Sequence, residues 1–216
     1  MTPAEPPGNV ICSRNKRGEP LMRFVVMALV LTAVLGVLAP ASFGQTPPPV
    51  LPQPTWAMGD TWTYRGVDGT PFTLTVRGVT PRQYSVEDKR GANVSVAQVD
   101  LDLSLNVFSH FQWPLQMQKQ WSSNSKARPG NNGAETDDYT TTSTVDAYGP
   151  VTVPAGTFDA YRIKGRQCNI TRKSCGDFLI WYAAQTKTYV KLSWASAAYW
   201  GGLSGKSTEL VSYKIR

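Results

Sequence analysis

Pro71-Phe72-Thr73-Leu74-Thr75-Val76 alternates apolar and polar side chains with a period of two. Only an extended strand with one buried face brings Phe72, Leu74 and Val76 together, because successive strand side chains point to opposite sides. Just upstream, Val67-Asp68-Gly69-Thr70 holds the Asp-Gly pair favoured in tight hairpin turns. Thr61 to Gly66 and Phe72 to Gly78 therefore read as one hairpin.

The same alternation extends along the chain through Arg82 to Glu87, Asn93 to Leu105, Asp138 to Ala147, Thr157 to Gln167, Asp177 to Tyr182, Thr188 to Trp194 and Ser207 to Ile215. Arg128-Pro-Gly-Asn-Asn-Gly133 is a loop signal, and no stretch beyond Thr61 has a helical period. The expected fold is all-β: an antiparallel meander of roughly nine strands, curled into a half-barrel or a barrel and preceded by a signal helix.

Two segments complicate that pattern. Within Asn93 to Leu105 the apolar parity changes between Val94, Val96 and the later Val99, Leu101, Leu103, Leu105. One strand cannot keep both sets on one face, which predicts a bulge near Ala97 and Gln98. Phe108 to Trp113 reads either as a continuation of that strand or as a short helical turn ended by Pro114.

Phe178-Leu-Ile-Trp-Tyr182 is apolar on both faces, as a strand covered on both sides would be. The concave face then has to be filled by a short helix, by Asn106 to Gln120, or by a ligand. For a ligand the expected cavity lining is Trp62, Tyr64, Phe178, Ile180 and Tyr182; ordinary core packing is the alternative.

Upstream, Phe24 to Leu38 is a run of about fifteen nearly all-apolar residues, preceded by Met22-Arg23 and followed by small residues. A membrane-spanning helix wants roughly twenty apolar residues, so the run reads as a secretory signal core. Cleavage fits near Ser42 or near Gln45, and translation start fits Met1 or Met22. An uncleaved N-terminal anchor is the alternative. The expected organisation is residues 1–44 as extension and signal peptide, 45–54 as a Pro-rich linker and 55–216 as the β-domain. The product is then periplasmic or secreted, with no stable membrane span after cleavage.

From Gln45 the chain has 18 Lys and Arg against 13 Asp and Glu, a net charge of +5. So modest and dispersed an excess, without a recognition module, argues against nucleic-acid binding. Cys168 and Cys175 are the only cysteines after the apolar run. In an oxidising compartment, with polar Asn169 to Ser174 between them, they are expected to clamp a hairpin. Two thiols and a lone histidine make no metal site, and neither metal nor cofactor is expected.

Three blocks occur in order: Met58-Gly-Asp-Thr-Trp-Thr-Tyr64; Val151-Thr-Val-Pro-Ala-Gly-Thr-Phe-Asp-Ala-Tyr-Arg162; and Trp181-Tyr-Ala through Val190-Lys191 to Glu209-Leu-Val-Ser-Tyr213. In this arrangement the chain resembles a broad group of exported bacterial β-rich domains of unknown function. The resemblance implies the fold and an extracytoplasmic setting, and brings no catalytic residues. The blocks also have local explanations: Asp60 caps amides in a tight turn, and Pro154-Ala-Gly156 reverses the chain.

Candidate chemistry is sparse. His110 lies between Phe108 and Phe111, where packing explains it as well as catalysis does. No Gly-x-Ser-x-Gly elbow occurs. Asp100 and Asp102 share a strand face at about 7 Å, a spacing that glycoside-cleaving acids use. Arg162, Lys164 and Arg166 alternate along one strand, either to dock an anionic partner or as a solvated face. Tyr199 and Trp200 sit in a glycine-rich stretch suited to a contact loop. The expectation is an exported, non-enzymatic domain that binds an envelope lipid, glycan or protein. A structural or assembly role without a small ligand is second, and glycan hydrolysis third.

Overall fold

The computed structural model describes residues 47–100, 111–127, 137–197 and 205–216. The expected signal segment, Asp102, His110, the Arg128 to Gly133 loop, Tyr199 and Trp200 lie outside these residues, as does the side chain of Asp100.

The described strands are β1 (Thr61–Arg65), β2 (Pro71–Val79), β3 (Gln83–Arg90), β4 (Asn93–Asp100), β5 (Gln120–Ala127), β6 (Asp137–Val153), β7 (Gly156–Asn169), β8 (Ser174–Ala183), β9 (Thr188–Ala197) and β10 (Ser207–Lys214). They form one sheet in the order β4-β3-β2-β1-β10-β9-β8-β7-β6-β5, antiparallel at every step. Two meanders, β1–β4 and β5–β10, are joined where β10 pairs with β1.

The Asp-Gly turn forms as its residues predict: Gly69 takes φ +85° and Thr70 N–H donates to Asp68 Oδ1 at 2.9 Å. One hydrophobic cluster gathers inward side chains from all ten described strands, so the sheet curls around a single concave core.

Several sequence expectations need correction. The sheet does not close into a barrel: β4 and β5 end the strand order and do not pair. Closure is unnecessary because the chain plugs its own concave face. Phe111 and Leu115 are buried there with Trp113 and Met117 beside them, and Trp113 meets Tyr182 edge-on at 5.1 Å. The described part of this plug, from Phe111 to Met117, is irregular, and Phe108 to His110 of the expected segment lie outside the described residues. It is tied at Leu51 and Leu115, which exchange two backbone hydrogen bonds at 2.8 and 2.9 Å.

No bulge forms at Ala97 and Gln98; β3 and β4 pair in unbroken register. Tyr84 and Val86 of β3 face Val99 and Ala97, so β3 sets the parity and leaves Val94 and Val96 outside, 56% and 60% exposed.

The additional strand is β5. Of its inward side chains only Trp121 is a large apolar group, the next two being Ser123 and Ser125, so apolar alternation gave no signal.

The Pro-rich stretch 45–54 was expected to be a solvated spacer. Its second half docks instead, with Tyr161 O–H donating to the Pro49 carbonyl besides the Leu51 ladder.

Cys168 and Cys175 face each other across β7 and β8 and form the expected disulfide. Closing so short a loop is worth about 2.5 kcal/mol on the chain-entropy estimate. The turn it closes is also held by Ile170 N–H to the Asp138 carbonyl and Arg172 N–H to Asn169 Oδ1, both 2.8 Å, which reduces what the cross-link adds.

The three motif blocks meet in space. Trp56 and Trp62 donate their indole N–H groups to the carbonyls of Lys187 (2.9 Å) and Thr186 (2.7 Å), and Tyr64 O–H donates to the Tyr189 carbonyl at 2.9 Å. Asp60, fully buried, accepts Ala57 N–H at 2.9 Å, Arg216 N–H at 2.7 Å and Lys187 Nζ at 3.3 Å. Ala155 N–H reaches the Leu210 carbonyl at 3.0 Å, and Phe158 meets Tyr213 edge-on. The blocks thus knit the β1–β10 junction to the turn Ala184–Thr186.

Candidate functional site

Along β3, the inward positions run Tyr84, Val86, Asp88, Arg90. The first two enter the core, and the last two carry charge at the mouth of the concave face. Arg90 donates Nε and Nη2 to both oxygens of Asp88 at 3.0–3.2 Å, and its guanidinium lies 4.3 Å from the centre of the Phe72 ring. Hydrogen bonding to Asp88 and stacking on Phe72 hold the planar guanidinium over the opening.

Beneath this rim is a cavity of about 220 Å³ lined by Phe72, Leu74, Tyr189, Leu192 and Thr208, with Gly66–Asp68 of the β1–β2 turn at its side. Its floor is a ring stack: Tyr64 lies between Phe72 (5.3 Å) and Tyr189 (4.8 Å), with interplanar angles near 20°. Burial pushes the phenols of Tyr64 and Tyr189 well above the ordinary tyrosine range, so both stay protonated. Around Tyr189, Arg90 opposes that shift and Asp88 reinforces it. On the turn, the backbone amide of Thr70 holds Asp68 below the usual carboxylate range. The mouth therefore offers apolar walls, a neutral phenol and a rim with two carboxylates and one guanidinium, an arrangement that can hold and orient a group.

The five residues expected to line a cavity do come together, inside the core. Trp62, Tyr64, Phe178, Ile180 and Tyr182 are each at most 2% exposed. Burial raises the Tyr182 phenol as well. Trp113 of the plug meets Tyr182, and Tyr64 lies behind the mouth cavity between Phe72 and Tyr189.

The basic face also forms, on the convex side, where its charge is nearly cancelled. Asp146 occupies the extra position where the β6–β7 register shifts between Val145 and Ala147, and it accepts Arg162 Nε and Nη2 at 2.9 and 3.0 Å. That pairing raises the Arg162 guanidinium further. Arg166 pairs with Asp177 at 3.2 Å. Lys164 stands between the two pairs, beside a shallow trough of about 720 Å³ lined by Thr142, Thr144 and Ala195. One cation flanked by two neutralised pairs is a weak anion site.

Among the described residues no group of three or more His, Cys, Asp or Glu could hold a metal ion, and no helix is long and apolar enough to cross a membrane. Sequence reasoning missed Asp88 and Arg90. Their signal is legible in retrospect: in Tyr84-x-Val86-x-Asp88-x-Arg90 the inward parity of an amphipathic strand runs on into charge.

No protein-family model and no curated protein matches the chain. Three solved structures share parts of its shape. A provisionally assigned lipoprotein of Parabacteroides distasonis ATCC 8503 is 16% identical, covering 76% of this chain and 97% of its own, with TM-score 0.44. A provisionally assigned exported protein of Bacteroides fragilis NCTC 9343, described as having a YmcC-like fold, is 13% identical over 77% of this chain and 100% of its own, with TM-score 0.39. The hypothetical lipoprotein YmcC of Escherichia coli K12 is 8% identical over 71% and 82%, with TM-score 0.43. With each TM-score below 0.5, the functional argument stays with this chain's own residues.

Proposed function

We propose that this is an exported, non-catalytic binding domain that holds an apolar group of an envelope lipid or glycan in the mouth of its concave face. The observation carrying this reading is the cavity above the Phe72–Tyr64–Tyr189 stack, with an apolar floor and a rim closed by the Asp88–Arg90 pair. Small-ligand sites combine such a floor with a few oriented polar groups. At about 220 Å³ the cavity takes a chain end or a single ring rather than a whole lipid. Export rests on the apolar run Phe24 to Leu38. The non-catalytic reading is supported by Asp88 and Arg90 engaging each other at the rim.

The test is native mass spectrometry of the protein from its own envelope, for wild type and Leu192→Trp. A dissociable extra mass on wild type, lost in a variant that still unfolds in one cooperative transition, is the expected result. Bare wild type, or the same adduct on both, rejects the mouth as the site.

A second reading, an assembly role without a small ligand, is favoured by the packed core beneath the mouth, where Trp62 and Tyr64 are fully buried.

A further inference from the structure

We propose that β4 is a self-pairing edge through which two copies of this chain join their sheets antiparallel about Ser95. This deepens the assembly reading and is independent of the mouth cavity. Among the described residues β4 ends the strand order, and Asn93 to Gln98 are exposed on both faces of the sheet. Natural edge strands are usually blunted by charge, proline, a bulge or a cover. The opposite edge is blunted: in β5, Lys126 pairs with Asp138 at 3.4 Å and Asn124 accepts the Thr140 hydroxyl at 3.0 Å. From Asn93 to Val99, β4 has no charge, no proline, no glycine and no register break. It carries instead Val94 and Val96 on the outer face, 56% and 60% exposed.

The occupant follows from the strand's self-complementarity. In antiparallel pairing centred on Ser95, Val94 of each copy lies opposite Val96 of the other, so four valines form one block, and Asn93 lies opposite Ala97. Shifting the centre by one residue breaks both valine pairs. Each directly opposed pair has its Cβ atoms about 5 Å apart, within contact range.

The next strand in agrees. Val94 is registered with Lys89 and Val96 with Glu87, so each row across the junction ends in Glu87 on one side and Lys89 on the other. The pairing is two-fold and uses the same patch twice, the commonest arrangement of soluble oligomers. A junction one strand wide is small, so the dimer is concentration-dependent.

Sedimentation velocity across a concentration series should show a monomer–dimer equilibrium. Val96→Lys should weaken it by about tenfold or more, since it sets a charge against an apolar side chain. At concentrations where wild type is monomeric the melting temperature should not move. Under mild oxidation Ser95→Cys should give a covalent dimer, because the two Ser95 positions face each other, and Ala97→Cys, which faces Asn93, should not.

A monomer at all concentrations overturns the proposal, as does a dimer indifferent to Val96→Lys or cross-linking at Ala97→Cys alone. A stoichiometric complex with a different extended chain, without self-association, overturns the choice of partner. Failure here leaves the adduct seen by native mass spectrometry unaffected, and loss of that adduct leaves the dimer unaffected, so the two proposals fail separately.

Discussion

Around Trp62 the concave face pairs its buried polar atoms, with two indole N–H groups and a tyrosine hydroxyl reaching carbonyls between Thr186 and Tyr189. At the far end, between β6 and β7, the lining turns to Thr141, Ser143, Gln167 and Asn169, and Gln167 Oε1 is buried without a partner. The first region joins sequence segments more than a hundred residues apart, and its polar atoms fix how they meet. In the second, hairpin neighbours already hold each other through the β6–β7 ladder, and the disulfide clamps β7 to β8 beside it, so its polar side chains are less tightly specified. Burying polar groups thus costs least where they also set the geometry of a long-range junction.

Each region has a buried carboxylate at a strand start, which allows a direct test. Asp60 bridges Ala57, Lys187 and the backbone of Arg216, whereas Asp137 bridges Asn169 at 2.8 Å and Arg172 at 2.7 Å within one end of the sheet. Asp60→Ala should cost about 4 kcal/mol in urea unfolding, within the range for stripping a buried charge network. Asp137→Ala should cost about 2 kcal/mol, because Arg172, whose side chain is 53% exposed, returns to water. Equal losses would erase the distinction between the two regions.

Alkaline pH sharpens the same contrast. Tyr64, Tyr182 and Tyr189 keep their protons in the fold above the value of 10.0 at which an ordinary tyrosine releases its own. The unfolded chain therefore loses protons first. The stability these phenols contribute is complete below about pH 10 and falls above it, by about 1.4 kcal/mol per pH unit for each phenol still protonated in the fold. Urea midpoints should drop progressively as the pH rises above about 10. Phenolate absorbance for these three rings should appear only with unfolding.

The smallest effect belongs to the far end: Gln167→Met removes an orphaned carbonyl together with the Nε2–H bond to Thr141 Oγ1 at 3.2 Å, and the two changes offset to a cost of about 1 kcal/mol or less. A loss of several kcal/mol would mean that Gln167 is fully satisfied in solution.

Much of this fold was readable from local pattern. Phe72, Leu74 and Val76 announced a strand, Asp68-Gly69 announced its turn, and the polar Asn169 to Ser174 between two cysteines announced a clamped hairpin. β5 was not readable, because a strand facing inward with Ser123 and Ser125 lacks apolar alternation. The parity of β4 was misread for a related reason: Val94 and Val96 are as apolar as Val99, and only pairing with Tyr84 and Val86 decides which set faces in. Of the candidate site, sequence identified the buried ring Tyr64. The rim was missed because Asp88 and Arg90 read as solvated charges until the curl of the sheet brings them over Tyr189.

The sequence by itself determined an all-β chain, its main hairpins and its disulfide, since those depend on side-chain period and on residues close in the chain. Tertiary structure alone decided that the sheet stays open, that residues from Phe111 to Met117 plug it, and that the mouth lies between β2, β3 and β9. Strand order and sheet closure depend on contacts between distant segments, and a period of two is the same whichever strand lies alongside.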